Sequence, residues 1–139
     1  MAFSGMRGAL SKYNDVRVET GITDASRHRL IALLLDGALE RIAIAKGHMS
    51  RGETVEKGAC ISRVITILDG LRASLNKEAG GALAQNLDEL YSYMDRCLLR
   101  ANCENDIRLL DEVSGLLMEI RNAWVAIAQQ DSAPVGGTS

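Results

Sequence analysis

Two histidines and three cysteines are the side chains of this 139-residue chain with the greatest potential for metal binding or nucleophilic catalysis. Neither His28 nor His48 has a glutamate three residues before it, the spacing that pairs metal ligands inside helical bundles. Cys60, Cys97 and Cys103 form no C-x-x-C pair and have no histidine at zinc-binding spacing, so they indicate ordinary thiols of a reducing compartment. No G-x-S-x-G nucleophile elbow occurs either. The sequence therefore predicts no metal site, no cofactor and no catalytic residue.

The stretch from His48 to Gly52 offers a different chemistry, phosphoryl transfer. Its residues, His-Met-Ser-Arg-Gly, are similar to the H-x-x-K/R-G pattern of histidine phosphotransfer domains, which are four-helix bundles. There an exposed imidazole accepts the phosphoryl group and a nearby cation stabilises it, so His48 is the candidate acceptor. A structural role accounts for the same histidine without any phosphate: near the C-terminal end of a helix, the helix dipole stabilises a cationic side chain. Both interpretations stay open.

The composition places these residues on helices. Hydrophobic residues make up 47% of the chain but aromatic residues only 4%, and Leu, Ile and Ala carry most of the apolar content. The single proline, Pro134, lies near the C-terminus, so it breaks no earlier helix. The net charge is −2 and the basic residues are spread along the chain, which predicts neither nucleic-acid binding nor stable membrane insertion.

Apolar residues recur three and four positions apart in four segments, which is the period of an amphipathic helix. Helices are predicted from Ser26 to Met49, from Thr54 to Leu75, from Leu83 to Asn102, and after a capping residue at Asn105. Their apolar seams are Ile31, Leu35, Ala38, Ile42, Ala45 and Met49; Ile61, Val64, Leu68, Leu71 and Leu75; Leu83, Leu87, Leu90, Met94, Cys97 and Ala101; and Ile107, Leu110, Val113, Leu117, Ile120, Trp124 and Ile127.

These seams predict an all-α fold, an antiparallel up-down-up-down four-helix bundle with a short N-terminal cap segment. The connections should be about four to six residues long, and such short links make neighbouring helices antiparallel. The predicted organisation is a cap or lid at residues 1–22, the bundle at residues 23–130 and a disordered tail at residues 131–139.

The apolar faces are wider than the seams. This width is typical of a normal bundle core, in which about three of seven positions are apolar. It is equally typical of a bundle with an outer groove that accepts an added amphipathic helix. The candidate groove residues are Ile67, Leu71, Tyr91, Leu98, Leu109 and Leu116.

Taken in order, the helices resemble the flagellin export chaperones of the FliS type, over about residues 13–127. The resemblance rests on an ordered series of short motifs. They are Ala25-Ser26, Arg29-Leu30-Ile31, Leu34-Leu35-Asp36-Gly37-Ala38-Leu39, Lys57-Gly58, Gly80-Gly81-Ala82-Leu83-Ala84-Gln85-Asn86-Leu87, Leu90-Tyr91-Ser92-Tyr93-Met94, Ala101-Asn102 and Arg121-Asn122-Ala123-Trp124.

The resemblance implies a cytoplasmic, non-enzymatic chaperone. Such proteins bind the disordered C-terminal segment of flagellin in a hydrophobic groove, prevent premature polymerisation and deliver flagellin to the flagellar type III export gate. It also implies that the N-terminal segment, including Tyr13, is a lid that flagellin displaces, and that the protein is a monomer or homodimer.

Overall fold

The computed structural model describes the backbone of residues 24–75 and 77–137 and the side chains of residues 26–75 and 80–127. The described residues contain four α-helices and no strand, which confirms the all-α class. The helices are α1, Asp24–Ser50; α2, Thr54–Ala73; α3, Lys77–Glu104; and α4, Ile107–Gly137.

Polar contacts between the helices show that the neighbours are antiparallel. Near the start of α1, Arg27 Nη2 donates to the backbone oxygen of Ser74, just after the end of α2, at 3.0 Å. At the start of α2, Lys57 Nζ donates to the backbone oxygen of Asn102, in the last turn of α3, at 2.9 Å. Because each contact joins the beginning of one helix to the end of the next, α1, α2 and α3 alternate in direction.

Helix α4 packs against both α3 and α1 and closes the bundle. Arg121 Nε lies 2.9 Å from Asp36 Oδ1, and the side chains of Lys46 and Asp111 form a second ion pair. From the first ion pair to the second, the residue number rises along α1, from Asp36 to Lys46, and falls along α4, from Arg121 to Asp111. Helices α1 and α4 are therefore also antiparallel. The four helices therefore form the predicted up-down-up-down bundle.

The four predicted seams meet in one core. Their central residues are fully buried, and burial of each large aliphatic side chain stabilises the fold by roughly 1.5–3 kcal/mol. The largest fully buried side chains are Leu35, Ile42, Ile61, Val64, Leu68, Leu71, Met94, Leu98, Leu110, Val113 and Leu117. Towards one end of the bundle the same seams lose this protection: Leu75, Leu87, Ile120 and Trp124 are only partly buried.

The connections are shorter than the predicted four to six residues. Three residues, 51–53, join α1 to α2, and two, Asn105 and Asp106, join α3 to α4. Gly52 and Asn105 have positive φ angles, +72° and +53°, which reverse the chain at once after the helix end. The following amide then bonds back to the helix, as Asp106 N–H does to the oxygen of Ala101 at 3.2 Å.

The prediction that Asn105 caps α4 is wrong. The capping residue is Asp106, whose Oδ1 accepts from the backbone N–H of Arg108 at 3.0 Å. Asn105 instead ends α3 in the left-handed conformation that asparagine tolerates, and its side-chain oxygen accepts from Lys57. Sequence alone does not separate these roles because both residues can cap a helix.

Two helix bounds also differ from the prediction. Helix α3 is assigned from Lys77, but Gly81 has a non-helical conformation, φ 53° and ψ −126°, so the predicted break is present inside it. The backbone of α4 continues to Gly137, over most of the residues predicted to form the tail. No glycine or proline lies between Gly115 and Pro134, so nothing in that stretch interrupts the helix. The predicted division into lid, bundle and tail stays a prediction.

Substitution of Lys57 by methionine should destabilise the bundle by about 1–3 kcal/mol, because the backbone oxygen of Asn102 and the side-chain oxygen of Asn105 lose their donor at a partly buried site. Urea unfolding followed by circular dichroism measures the change. The matched control is Lys46→Met, which removes a surface ion pair with Asp111 and should cost under about 1 kcal/mol. Equal losses for the two variants would contradict a special role for Lys57.

Candidate functional site

A cleft of about 500 Å³ opens at the end of the bundle where α1 and α3 begin and α2 ends. Side chains of all four helices form its walls, which are mainly aliphatic and aromatic. The lining residues are Arg27, His28, Ile31, Leu35, Leu71, Ser74, Leu75, Gly80, Leu83, Ala84, Leu87, Tyr91, Ile120 and Trp124.

The cleft exists because the apolar seam of α3 extends beyond the fully buried core. Leu83 and Leu87 continue the seam that Met94 occupies farther along, yet Leu83 is 62% exposed. Just before Leu83, the non-helical backbone at Gly81 separates the first turn of α3 from the rest of the helix. Large apolar side chains therefore border open space at this end of the bundle, whereas at its middle they are enclosed.

Three contacts fix the start of α1 against its neighbours at the cleft. The rings of His28 and Trp124 stack with their centroids 4.3 Å apart and an interplanar angle of 23°. Trp124 Nε1 also donates to the backbone oxygen of His28 at 2.9 Å, which ties α1 to α4. Arg27 ties α1 to the end of α2 through Ser74. Arg27 and His28, the basic side chains among the lining residues, therefore both lie on the first turns of α1.

Two of the residues predicted to bind a partner, Leu71 and Tyr91, line this cleft together. Both are buried, at 2% and 3% exposure, and so present only a small surface to an occupant. Burial also raises the pKa of Tyr91 to about 12, further above physiological pH than that of a solvated tyrosine.

The structure does not bring the other predicted groove residues to the cleft. Ile67 and Leu98 are buried in the core at 4% and 0% exposure. Leu109 and Leu116 lie on α4, partly buried against the core. Tyr13 lies outside the described residues. The binding role of these residues stays a prediction.

Sequence reasoning missed Arg27 and His28 as site residues. Leu83, Leu87, Ile120 and Trp124 carried a signal, since they extend the seams of α3 and α4 past the fully buried core. No comparable signal marks Arg27 and His28 in the sequence, because whether they line a cleft depends on which helix ends surround the first turns of α1.

His48, the candidate phosphoacceptor, lies in the last turn of α1 and already has a partner. Its Nδ1 is 2.7 Å from Glu53 Oε1, and Arg51 Nε donates to the same oxygen at 2.9 Å. These two hydrogen bonds hold the pKa of Glu53 below its usual value. The geometry supports the interpretation of His48 as a histidine of the helix end.

Acidic residues face each other between α2 and α3, outside the cleft. Burial, and a hydrogen bond that protonated Asp95 donates to the Asp69 carboxylate, raise the pKa of Asp95 to about 7, although Arg72 opposes the shift. Arg72 itself donates to Asp88 Oδ1 at 2.9 Å. Asp95 Oδ1 is buried and has no hydrogen-bond partner. The carboxyl groups of Asp69 and Asp95 are therefore a source of electrostatic strain.

The described residues contain no group of three or more His, Cys, Asp or Glu side chains placed to hold a metal ion. A search of these helices for one long and apolar enough to cross a membrane finds none.

Comparison with known proteins gives one consistent result. The family model for the flagellar protein FliS matches residues 9–131. The chain is 49% identical over 120 residues to the flagellar secretion chaperone FliSB of Pseudomonas aeruginosa, covering 86% of this chain and 95% of the relative. It is 44% identical over 124 residues to the flagellar secretion chaperone FliS of Salmonella typhimurium, covering 88% and 92%. The same-named protein of Bacillus subtilis is 26% identical over 113 residues, covering 81% and 84%.

Replacement of Asp95 by asparagine should stabilise the protein at pH 8 and have little effect near pH 4. A carboxyl whose pKa is raised on folding binds more protons in the folded state, so it lowers stability as the pH rises from about 4 to 7. The expected gain at pH 8 is about 1–2 kcal/mol, below the full value of such a shift because solvent screens a half-buried group.

Urea unfolding at several pH values measures this gain. Asp111→Asn is the control, because Asp111 is an exposed surface carboxylate paired with Lys46. A gain for Asp95→Asn that does not change with pH would contradict the electrostatic explanation.

Proposed function

This chain belongs to the flagellar protein FliS family, and on that premise we propose that it is a cytosolic export chaperone for flagellin. It binds the disordered C-terminal helical segment of flagellin, prevents premature polymerisation and delivers flagellin to the flagellar type III export apparatus. The family membership supports the chaperone role. The observation that carries the binding site is the open apolar cleft at the end of the bundle.

The cleft has the properties that helix-in-groove recognition requires. Amphipathic helices bind by inserting apolar side chains, spaced three or four residues apart, into a hydrophobic depression. A volume of about 500 Å³ lies within the range of ligand sites, roughly 300–1,000 Å³. Exposed Leu83 and partly buried Leu87, one turn apart on α3, supply apolar surface to an incoming helix.

A disordered client suits a chaperone that must later release it. Folding on binding buries on the order of 1,000–3,000 Å² but costs about 2–5 kcal/mol or more in ordering the segment. That cost lowers the affinity of a large interface without making it less specific. A cleft on a rigid bundle leaves most of the ordering cost on the client side.

The phosphotransfer alternative receives no such support. The Nδ1 of His48 is engaged by Glu53 and the adjacent cation Arg51 is paired with the same carboxylate. Both members of the proposed phosphoryl site therefore have partners inside the chain.

Leu83→Asp should weaken binding of a flagellin C-terminal peptide, taken from the same genome, by tenfold or more. The substitution places a carboxylate at the apolar mouth of the cleft, where an apolar side chain would otherwise be buried. Because Leu83 is 62% exposed, stability should change little, within about 0.5 kcal/mol. Isothermal titration calorimetry measures the affinity and urea unfolding checks the fold.

The matched control is Val55→Asp, since Val55 is 81% exposed at the start of α2, at the opposite end of the bundle. It should bind like the unaltered chain. Equal affinities of the Leu83→Asp and Val55→Asp variants would show that the peptide does not bind in the cleft. Absence of binding by the unaltered chain at tens of micromolar would count against the function itself.

Deletion of residues 1–20 should tighten binding of the same peptide several-fold, because the proposed lid no longer competes for the hydrophobic surface. The lid includes Tyr13 and lies outside the described residues. Calorimetry on the full-length and shortened chains, both checked by circular dichroism, measures the difference. Weaker binding after deletion would show that the segment belongs to the binding site.

A further inference from the structure

The cleft has a cationic end and no acidic group in its described lining. Arg27 and His28 are the basic side chains among the lining residues, and no aspartate or glutamate accompanies them. The remaining walls are mainly apolar. A cleft of this composition disfavours lysine and arginine side chains of a client, accommodates an aliphatic one and attracts a carboxylate.

Arg27 has hydrogen-bonding capacity that the described side chains and backbone do not use. Its Nη2 donates to the backbone oxygen of Ser74 at 3.0 Å, and no carboxylate of the described part lies within ion-pairing distance of it. By contrast, Arg72 and Arg121 each bind an aspartate at 2.9 Å. A guanidinium carries five N–H donors, so Arg27 can bind a carboxylate while it keeps its bond to Ser74.

His28 provides a second, independent indication of a ligand. Its Nδ1 is buried and has no hydrogen-bond partner. The ring lines the cleft and stacks on Trp124. An unpaired buried polar group costs about 1–3 kcal/mol, and an occupant that bonds to it recovers this free energy.

We propose that Arg27 and His28 bind a carboxylate of the client, an aspartate or glutamate next to the apolar side chain that fills the cleft. Arg27 donates from a free N–H group, and His28 donates from Nδ1–H. Charge-assisted hydrogen bonds of this kind are about twice as strong as neutral ones. The inference rests on the proposed function and adds a specificity: the site selects a client helix that carries an acidic residue at this position.

A peptide series tests the client side with the unaltered chaperone, so no variant needs to fold. Each aspartate and glutamate of the flagellin C-terminal peptide is replaced in turn by asparagine or glutamine, and calorimetry measures each affinity. One replacement should weaken binding about tenfold or more, which corresponds to one charge-assisted hydrogen bond, while the others change it less than twofold.

Two chaperone variants test the other side. Arg27→Gln and His28→Phe should each weaken binding of the native peptide about tenfold, but neither should weaken binding of the neutralised peptide further. This double-mutant comparison uses the same variant with two peptides, so any loss of stability affects both measurements equally. His28→Phe keeps a ring against Trp124, and Arg29→Gln is the matched control because Arg29 is an exposed neighbour that does not line the cleft.

The outcomes separate the inference from the proposed function. If the unaltered chain binds the native peptide and every neutralised peptide equally, the carboxylate inference is overturned and the function stands. If the effects of Arg27→Gln and of the peptide replacement simply add, a carboxylate is recognised elsewhere and the assignment to Arg27 and His28 is overturned. If the unaltered chain binds no flagellin peptide, both fail.

Discussion

Enclosure of four aliphatic seams around one axis is the constraint on which the rest of this structure depends. The seams are longer than the length over which four helices can enclose them. Between Leu35 and Ala45 on α1, and over the facing parts of the other helices, the seam side chains are buried. Beyond that length the sequence stays apolar, but the packing does not close, and Leu83 remains exposed. The cleft is therefore the unfilled continuation of the core.

The two ends of the bundle differ in how their polar groups are satisfied. At the end opposite the cleft, the chain reverses through Gly52 and Asn105, and buried Lys57 donates to the backbone oxygen of Asn102 in the last turn of α3. There the side chain and its acceptors are paired within the chain. At the cleft end, among the residues that the structure describes, Arg27 keeps unused donors and the Nδ1 of His28 has no hydrogen-bond partner. Because buried polar groups are normally satisfied, this asymmetry agrees with the proposal that a client binds at the cleft end.

The sequence predicts the bundle well because the helical period determines which residues share a face. It predicts the site less well because a helix has two flanks, and the period does not say which one meets a neighbour. Ile67 and Leu98 were candidates for a groove, but they lie on flanks that adjacent helices cover. Leu71 and Tyr91 were selected by the same reasoning and do reach the cleft. His28 could not be selected, since an unpaired nitrogen is a property of its three-dimensional surroundings.

The first turns of α1 occupy a special position in this arrangement. They hold α2 through Arg27 and α4 through the backbone oxygen of His28, and both residues line the cleft. The same turns are covalently continuous with the first 23 residues, where the proposed lid lies. An occupant that bonds to Arg27 and His28 therefore acts within a few residues of the point at which the lid joins the bundle.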